Sequence, residues 1–349
     1  MFLLGQDSTA KKFYFYHPEN TFGSDAQFSP LTLYVNGAFD ILRNGGHPKN
    51  LMQWRLHDNF ENVWYNLQNP IARINEFTWN HFVDQEIFNF TIGRNRAEFL
   101  PNIADHAIGN GMQYAKLAEY FEYRNIPYPV LWSIVTSVAY QVCNEVIESG
   151  GGGKSVNVDM IADIYLFNTA GFVLFSTDWG KRFFSETVPV YDWMPQPIIE
   201  PYTGRIQNAG QQYFIRKNFS VLGKWSPIFY WGVFNTVGVS YKYVDQHSIT
   251  LAVGRVVNKL KEGRLRGFRK LDPTIDGTVG IFWDNNNSLM SSLLLTGPGL
   301  YNLQLNIYPG VIHFGDFTPG FYLAAGEWDG FIVGITFTDF PFGFGYGTK

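Results

Sequence analysis

Ile249-Thr250-Leu251-Ala252-Val253-Gly254 alternates large apolar residues with small or polar ones. That period of two marks a strand with two chemically different faces. Upstream, Val239, Tyr241 and Tyr243 oppose Ser240 and Lys242 in the same way. Downstream, Leu303, Leu305 and Ile307 oppose Asn302, Gln304 and Asn306, while Phe331, Val333, Ile335 and Phe337 oppose Gly334, Thr336 and Thr338. Turn residues separate these runs at Asp284-Asn285-Asn286-Asn287, Gly297-Pro298-Gly299, Tyr308-Pro309-Gly310 and Thr318-Pro319-Gly320. Leu31–Ile41 (LTLYVNGAFDI) alternates as well and reads as a further strand near the N-terminus. The pattern predicts about ten to twelve strands, mostly in roughly the last 150 residues.

The middle of the chain reads differently. Asn62–Asn80, Ile103–Tyr123 and Leu131–Glu148 carry helical spacing, and a fourth helix is expected from Met160. Together they predict a helical block over 60–180 within a single domain, 1–349. Ser149-Gly150-Gly151-Gly152-Gly153-Lys154-Ser155 reads as a flexible linker. Its Gly-Lys-Ser ending is not a phosphate loop, because Glu148 stands where that motif needs its first glycine and a helix precedes it.

Composition narrows the class. Of 349 residues, 46% are hydrophobic, 18% aromatic and only 16% charged, well below the usual charged share of about 25%. Such a chain is not intrinsically disordered. A net charge of -4 gives no global attraction for nucleic acid. Cys143 stands alone, so an intrachain disulfide or cysteine metal cluster is excluded. Met1–Lys12 lacks the basic start and apolar core of a signal peptide, so export implies a leader removed or trimmed. Val130–Ile147 and Met160–Phe175 come nearest to a spanning helix, but polar residues interrupt both.

Amphipathic strands have two explanations. In a soluble sandwich the apolar set faces a protein core; in an outer-membrane barrel it faces lipid and the polar set faces the lumen. The polar faces here hold Ser, Thr, Asn, Gln and Gly rather than Lys and Glu, and aromatics cluster near strand ends at Phe229-Tyr230-Trp231, Phe282-Trp283 and Phe342-Gly343-Phe344-Gly345-Tyr346. The expectation is therefore a mainly β chain: an antiparallel transmembrane β-barrel of about 10–12 strands in the cell outer membrane. Its helices would plug the lumen or close the periplasmic mouth, their polar stripes facing Asn302, Gln304 and Asn306. A soluble periplasmic β-sandwich binding protein is the alternative.

Several segments carry a family resemblance: Asp105-His106-Ala107-Ile108-Gly109-Asn110-Gly111-Met112-Gln113-Tyr114, Leu117-Ala118-Glu119-Tyr120, Asn144-Glu145-Val146-Ile147-Glu148 and Asp159-Met160-Ile161-Ala162-Asp163. With Asp284–Leu289 and Asn306–Gly310, they resemble an uncharacterised family of outer-membrane-associated β-barrel proteins of Gram-negative, Bacteroidetes-type bacteria. In that family a His-containing helical block precedes the hairpins. The resemblance covers about residues 70–346 by these loose motifs; it implies an envelope location and no particular activity. The chain departs from the pattern in ending Gly-Thr-Lys rather than on an aromatic residue.

Helical spacing puts His106, Asn110 and Tyr114 on one face, and Ser133, Ser137, Tyr140 and Asn144 on another. As a general base, His106 would serve a lipid- or lipopolysaccharide-modifying hydrolase, with Glu119 or Asp163 as orienting carboxylate and Ser133 or Ser137 as nucleophile. No G-x-S-x-G elbow supports that reading. The structural reading makes His106, Asn110, Tyr114, Asn144 and Glu145 a polar seam between helices and barrel. Glu119, Glu122, Glu145, Glu148, Asp159 and Asp163 make a set of hard oxygen ligands. Glu-x-x-His pairs and a calcium loop are missing, however, so no metal and no cofactor is assigned. Lys259, Lys261, Arg264, Arg266, Arg269 and Lys270, with Arg255, form a basic hairpin suited to anionic lipid headgroups or lipopolysaccharide. The expected partner is membrane lipid rather than nucleic acid, and the role structural or transport-associated in the envelope.

Overall fold

The computed structural model describes residues 12–40, 55–88, 101–148, 155–265, 268–297, 301–326, 330–338 and 340–348, with the backbone alone described at 101–102, 258–265 and 268–273. The helices are α1 (Gly23–Ala26), α2 (Pro30–Ala38), α3 (Leu56–Gln68), α4 (Pro70–Phe77), α5 (Trp79–Phe82), α6 (Asn110–Tyr123), α7 (Pro129–Glu148), α8 (Asp159–Ile161), α9 (Thr169–Ser176) and α10 (Asp178–Arg182). Wider π-type turns occupy Val83–Ile87, Pro101–Gly109, Ala162–Asn168 and Phe183–Thr187. The strands are β1 (Val190–Asp192), β2 (Ile198–Glu200), β3 (Arg205–Gln207), β4 (Gln212–Arg216), β5 (Trp225–Gly232), β6 (Phe234–Val244), β7 (His247–Leu265), β8 (Phe268–Asn285), β9 (Ser288–Thr296), β10 (Leu303–Ile307), β11 (Gly320–Ala325), β12 (Phe331–Thr336) and β13 (Gly343–Gly347).

Where a strand is expected over 31–41, residues through Ala38 belong to the helix α2, and Ile41 lies outside the described residues. Ser29 accepts a hydrogen bond from the Thr32 amide and Pro30 opens the first turn, so a cap and an N1 proline set the conformation. Thr32, Leu33, Asn36 and Gly37 are buried, at helical spacing. The alternation there is coincidental. The helical region also begins earlier than expected, at Gly23, and its last π-type turn ends at Thr187.

The expected closed antiparallel barrel is not what forms. One mixed sheet of 13 strands runs β1-β4-β5-β6-β7-β8-β9-β10-β11-β12-β13-β2-β3, leaving β1 and β3 as edges. Among the described residues no ladder joins them. β13 meets β2 in parallel, through Gly343↔Ile198 and Phe344↔Ile199, whereas an up-and-down barrel is antiparallel throughout. The described strands all belong to this one sheet.

The sheet nonetheless curls. β1 and β2 stand eleven steps apart in the hydrogen-bond order, about 53 Å if flat at a typical strand spacing. Only Trp193–Pro197 separates them along the chain, a stretch reaching at most about 20 Å. This short segment crosses the concave side as a strap. Trp193 is fully buried and stacks on Phe214, with centroids 3.6 Å apart; its indole N–H donates to the Asn287 carbonyl at 2.7 Å. Tyr308 donates to the Met194 carbonyl at 2.7 Å. The Gln196 amide donates to the carbonyls of Ile307 and Phe321, and Thr336 donates to its oxygen. At the parallel join, a Cβ on Gly334, Gly343 or Gly345 would strike the Ile198 side chain, so the glycines leave the space that residue fills.

The interior is therefore filled by the strap and by α1, which packs on β9, rather than by the main helices. Inner-face Asn306 takes Asn208 at 2.7 Å and Gln196 at 3.4 Å as donors, so its partners are not helical. The larger helices cover the sheet's edges. Val190 of β1 packs with Ala104, Met112 and Phe175, and Ile206 of β3 packs with Ile147 of α7.

The faces of the sheet are chemically opposite. Thr236, Ser240, Thr250, Thr278, Ser292, Asn306 and Thr336 are buried, while Val237, Val239, Ile249, Leu251, Val253, Val279, Ile281, Leu295, Phe331 and Val333 are exposed. The apolar set of the period-two strands points outward. Among the described residues the β7–β8 ladder runs on past Val257 to Leu265↔Phe268 with no third strand paired alongside, so this hairpin projects from the sheet. The basic residues Lys259, Lys261, Arg264, Arg269 and Lys270 lie on that projection, and their side chains fall outside the described residues, as does Arg266 altogether. The expected linker likewise falls outside the described residues, except Ser155.

Candidate functional site

Two π-type turns build the site. His106 lies on Pro101–Gly109 and Asp163 on Ala162–Asn168, and the two segments pack together. Turns of this kind are rare and concentrate at functional positions, because the extra residue re-aims side chains. His106 Nε2 faces Asp163 Oδ2 at 3.4 Å.

The histidine's proton can be placed from its neighbours. Asn110 Oδ1 receives Tyr140 at 3.1 Å, Tyr213 at 3.1 Å and Gln211 at 3.0 Å. Three donors on one oxygen fix the orientation of the amide, leaving its NH2 toward His106 Nδ1 at 3.3 Å and Asn168 Oδ1 at 3.2 Å. An amide nitrogen only donates, so Nδ1 accepts and the imidazole proton sits on Nε2, toward Asp163. Burial holds the imidazole neutral, its pKa pushed down to about 4, with a hydrogen bond to the Asn168 side chain opposing.

Asp163 is buried, and among the described residues its second oxygen, Oδ1, has no hydrogen-bond partner. Burial raises this carboxyl well above the usual range, and the carboxylates of Asp159, Glu145, Glu86 and Glu148 push it further in the same direction. Of these, Glu145, Glu148 and Asp159 present one oxygen each within 4.8 Å of one another. Glu145 and Glu148 end α7 and Asp159 opens α8, so two helix ends converge there. This group can hold a metal ion.

The remaining expected residues lie elsewhere. Glu119 is not beside His106: its carboxylate accepts the amides of Tyr14 at 2.9 Å, Phe15 at 2.8 Å and Tyr16 at 2.9 Å, which anchors the N-terminal segment on α6. Tyr114 meets Ser176 at 3.1 Å, and Asn144 donates to the Gly37 carbonyl at 3.0 Å. Ser133 donates to the Tyr114 carbonyl at 2.5 Å. Among the described residues neither Ser133 nor Ser137 is a hydrogen-bond partner of His106. Of the expected seam, Asn110 reaches the sheet, through Gln211 and Tyr213.

Two buried charge groups were not legible in the sequence. Lys116 Nζ lies 3.0 Å from Asp25 and 3.2 Å from Asp192, beside a cavity of about 130 Å³. Arg216 clasps Asp284 with both terminal nitrogens, at 2.9 and 2.7 Å, and also donates to Ser240 and Asn287. A lysine within an apolar helix is a signal, but its partners come from distant segments.

The turn carrying His106 depends on a close crossing. A Cβ on Gly171 of α9 would lie 2.6 Å from the Ala107 carbonyl oxygen, a backbone atom that cannot swing aside. Gly171→Leu is therefore expected to lower stability by about 1–3 kcal/mol through overpacking. Thermal unfolding of the purified variant measures this, and an unchanged midpoint would show that the crossing is loose.

The chain matches no protein-family model, and no curated protein or solved structure matches it.

Proposed function

We propose that the chain is an integral protein of the cell envelope, placed in the outer membrane with a structural or transport-associated role, and that the convex side of its curled sheet contacts lipid. One observation carries the reading: the exposed side of β6–β9 and β12 is dominated by Val, Ile, Leu and Phe, while the buried side mixes Ser, Thr, Gly and Ala with Phe234, Val256, Phe282, Leu289, Met290, Leu294 and Ile332. In water a sheet takes the opposite arrangement, and monomeric soluble proteins rarely expose continuous apolar patches beyond a few hundred Å². Aromatic residues at one rim, Trp225, Tyr241 and Tyr243, fit an interface with lipid headgroups.

Hydrocarbon does not tolerate free strand edges. Helical residues packed over β1 and β3 support the same placement. α7 also exposes apolar residues, Val130, Leu131, Trp132 and Val135, and this 20-residue helix has a mean hydropathy of 1.3 over its most apolar window. The family resemblance over residues 70–346 points to the same compartment.

Purified protein is expected to need detergent, to float with phosphatidylcholine vesicles and to resist alkaline carbonate extraction. Leu251→Arg, on the outward face, is expected to cost about 2–4 kcal/mol of folding in lipid, measured by urea unfolding in vesicles. A wild-type chain that stays monodisperse in buffer without detergent would overturn the proposal.

A further inference from the structure

Strand pairing sorts the outward residues of β6, β7, β8 and β9 into rows that cross the sheet. Tyr241, Ile249, Trp283 and Ser291 form one row; Val239, Leu251, Ile281 and Leu293 form the next; Val237, Val253, Val279 and Leu295 form the third. The second row runs on through Leu305, Leu323 and Val333, so the apolar band is wide. Its depth is small. Beyond the first row the register brings His247 opposite Asn285, beside the hairpin turns, and beyond the third stand Asn235, Arg255 and Gly277.

Three rows, each two residues deep, extend about 20 Å along the strands. At the strand tilt of a membrane sheet, about 35–45°, that becomes about 14–17 Å of height, against about 25 Å for the lipid-facing band of outer-membrane barrels. A second observation sets the same limit. Past Val257, one row beyond Arg255, the β7–β8 ladder continues with no third strand alongside among the described residues, and hydrocarbon excludes an open sheet edge. The paired sheet and the apolar band therefore end within one row of each other. Both borders suit a headgroup region: Arg255 is exposed at one, and Trp225, Tyr241 and Trp283 line the other.

We propose that the partner of this face is a thin bilayer, with hydrocarbon about 14–17 Å thick beside the protein, so that the chain thins any thicker membrane around itself. This inference rests on the lipid contact proposed above for the convex face. The cost of mismatch grows with each ångström, so stability depends on the length of the acyl chains.

The test reconstitutes the full-length chain in fluid phosphatidylcholine vesicles with lauroyl, myristoleoyl, palmitoleoyl, oleoyl or eicosenoyl chains and follows equilibrium unfolding in urea. The ratio of folded to unfolded chain is expected to fall at least about tenfold from the thinnest to the thickest bilayer. Arg255→Leu with Gly277→Val adds to the band at two exposed positions, and a Cβ on Gly277 meets nothing within 4 Å. That double variant is expected to lose less across the same series. A wild type equally stable in every vesicle, or most stable in the thickest, would overturn the inference and leave the lipid contact standing; so would a folded double variant that loses as much as the wild type. If the double variant does not fold, the wild-type series decides alone. A wild type that floats with none of the vesicles and forms a detergent-free dimer instead would show a second copy on this face, and would overturn the lipid contact and the inference together.

Discussion

Lys116→Met is expected to destabilise the chain by about 3–5 kcal/mol, the cost of leaving a buried charge uncompensated. The Lys116 ammonium is buried between Asp25 and Asp192. Burial alone would lower its pKa, but the two carboxylates outweigh that and raise it. Methionine fills much the same volume and removes the charge, so Asp192, itself buried, loses its counterion. The three residues also tie together α1, α6 and β1, which come from separate parts of the chain. Urea unfolding of wild type and variant measures the loss. Adding Asp25→Asn and Asp192→Asn to Lys116→Met is expected to recover part of it, because the stranded charges go too. A loss below about 1 kcal/mol would place the group in the class of solvent-screened surface pairs.

Arg216→Met is expected to cost a similar amount, about 3–5 kcal/mol, for the same physical reason applied inside the curl. Asp284 is fully buried, and the fork of Arg216 satisfies both of its oxygens. The same guanidinium reaches Ser240 and Asn287, so one side chain links β4, β6, β8 and the β8–β9 turn. Arg216→Lys is expected to rescue only part of the loss, since an ammonium cannot reproduce the planar two-point contact. Unfolding midpoints for the two variants give the test. Equal stability of the lysine variant and the wild type would mean that charge alone matters there.

Legibility in the sequence followed the range of the interactions involved. The alternation at 249–254 and 331–336 could be read because a strand's two faces meet different surroundings at every second residue. The β8–β9 turn was marked by its asparagines; Asn286 and Asn287 both have positive φ, as a two-residue hairpin requires. At 31–41 the period misled, and the local signal that mattered was Ser29-Pro30. Strands β1, β2 and β3 have three residues each, too few to show any period, and these decide that the sheet is open and mixed. His106 stood out as a candidate by its residue type. That Asp163 and not Glu119 faces it depends on how two π-type turns meet, and no spacing within one helix encodes that.

The sequence by itself determined the two-faced strands, the helical middle, the hairpin turns and the chemical character of each surface. These depend on neighbours a few residues apart, whose geometry the backbone sets. Tertiary structure alone decided the open edges, the strap through the curl, the Lys116 and Arg216 charge groups and the pairing of His106 with Asp163. In each of these a buried charge or edge is satisfied by a partner far away in the chain, and burial becomes a property of a residue only once the whole chain has folded around it.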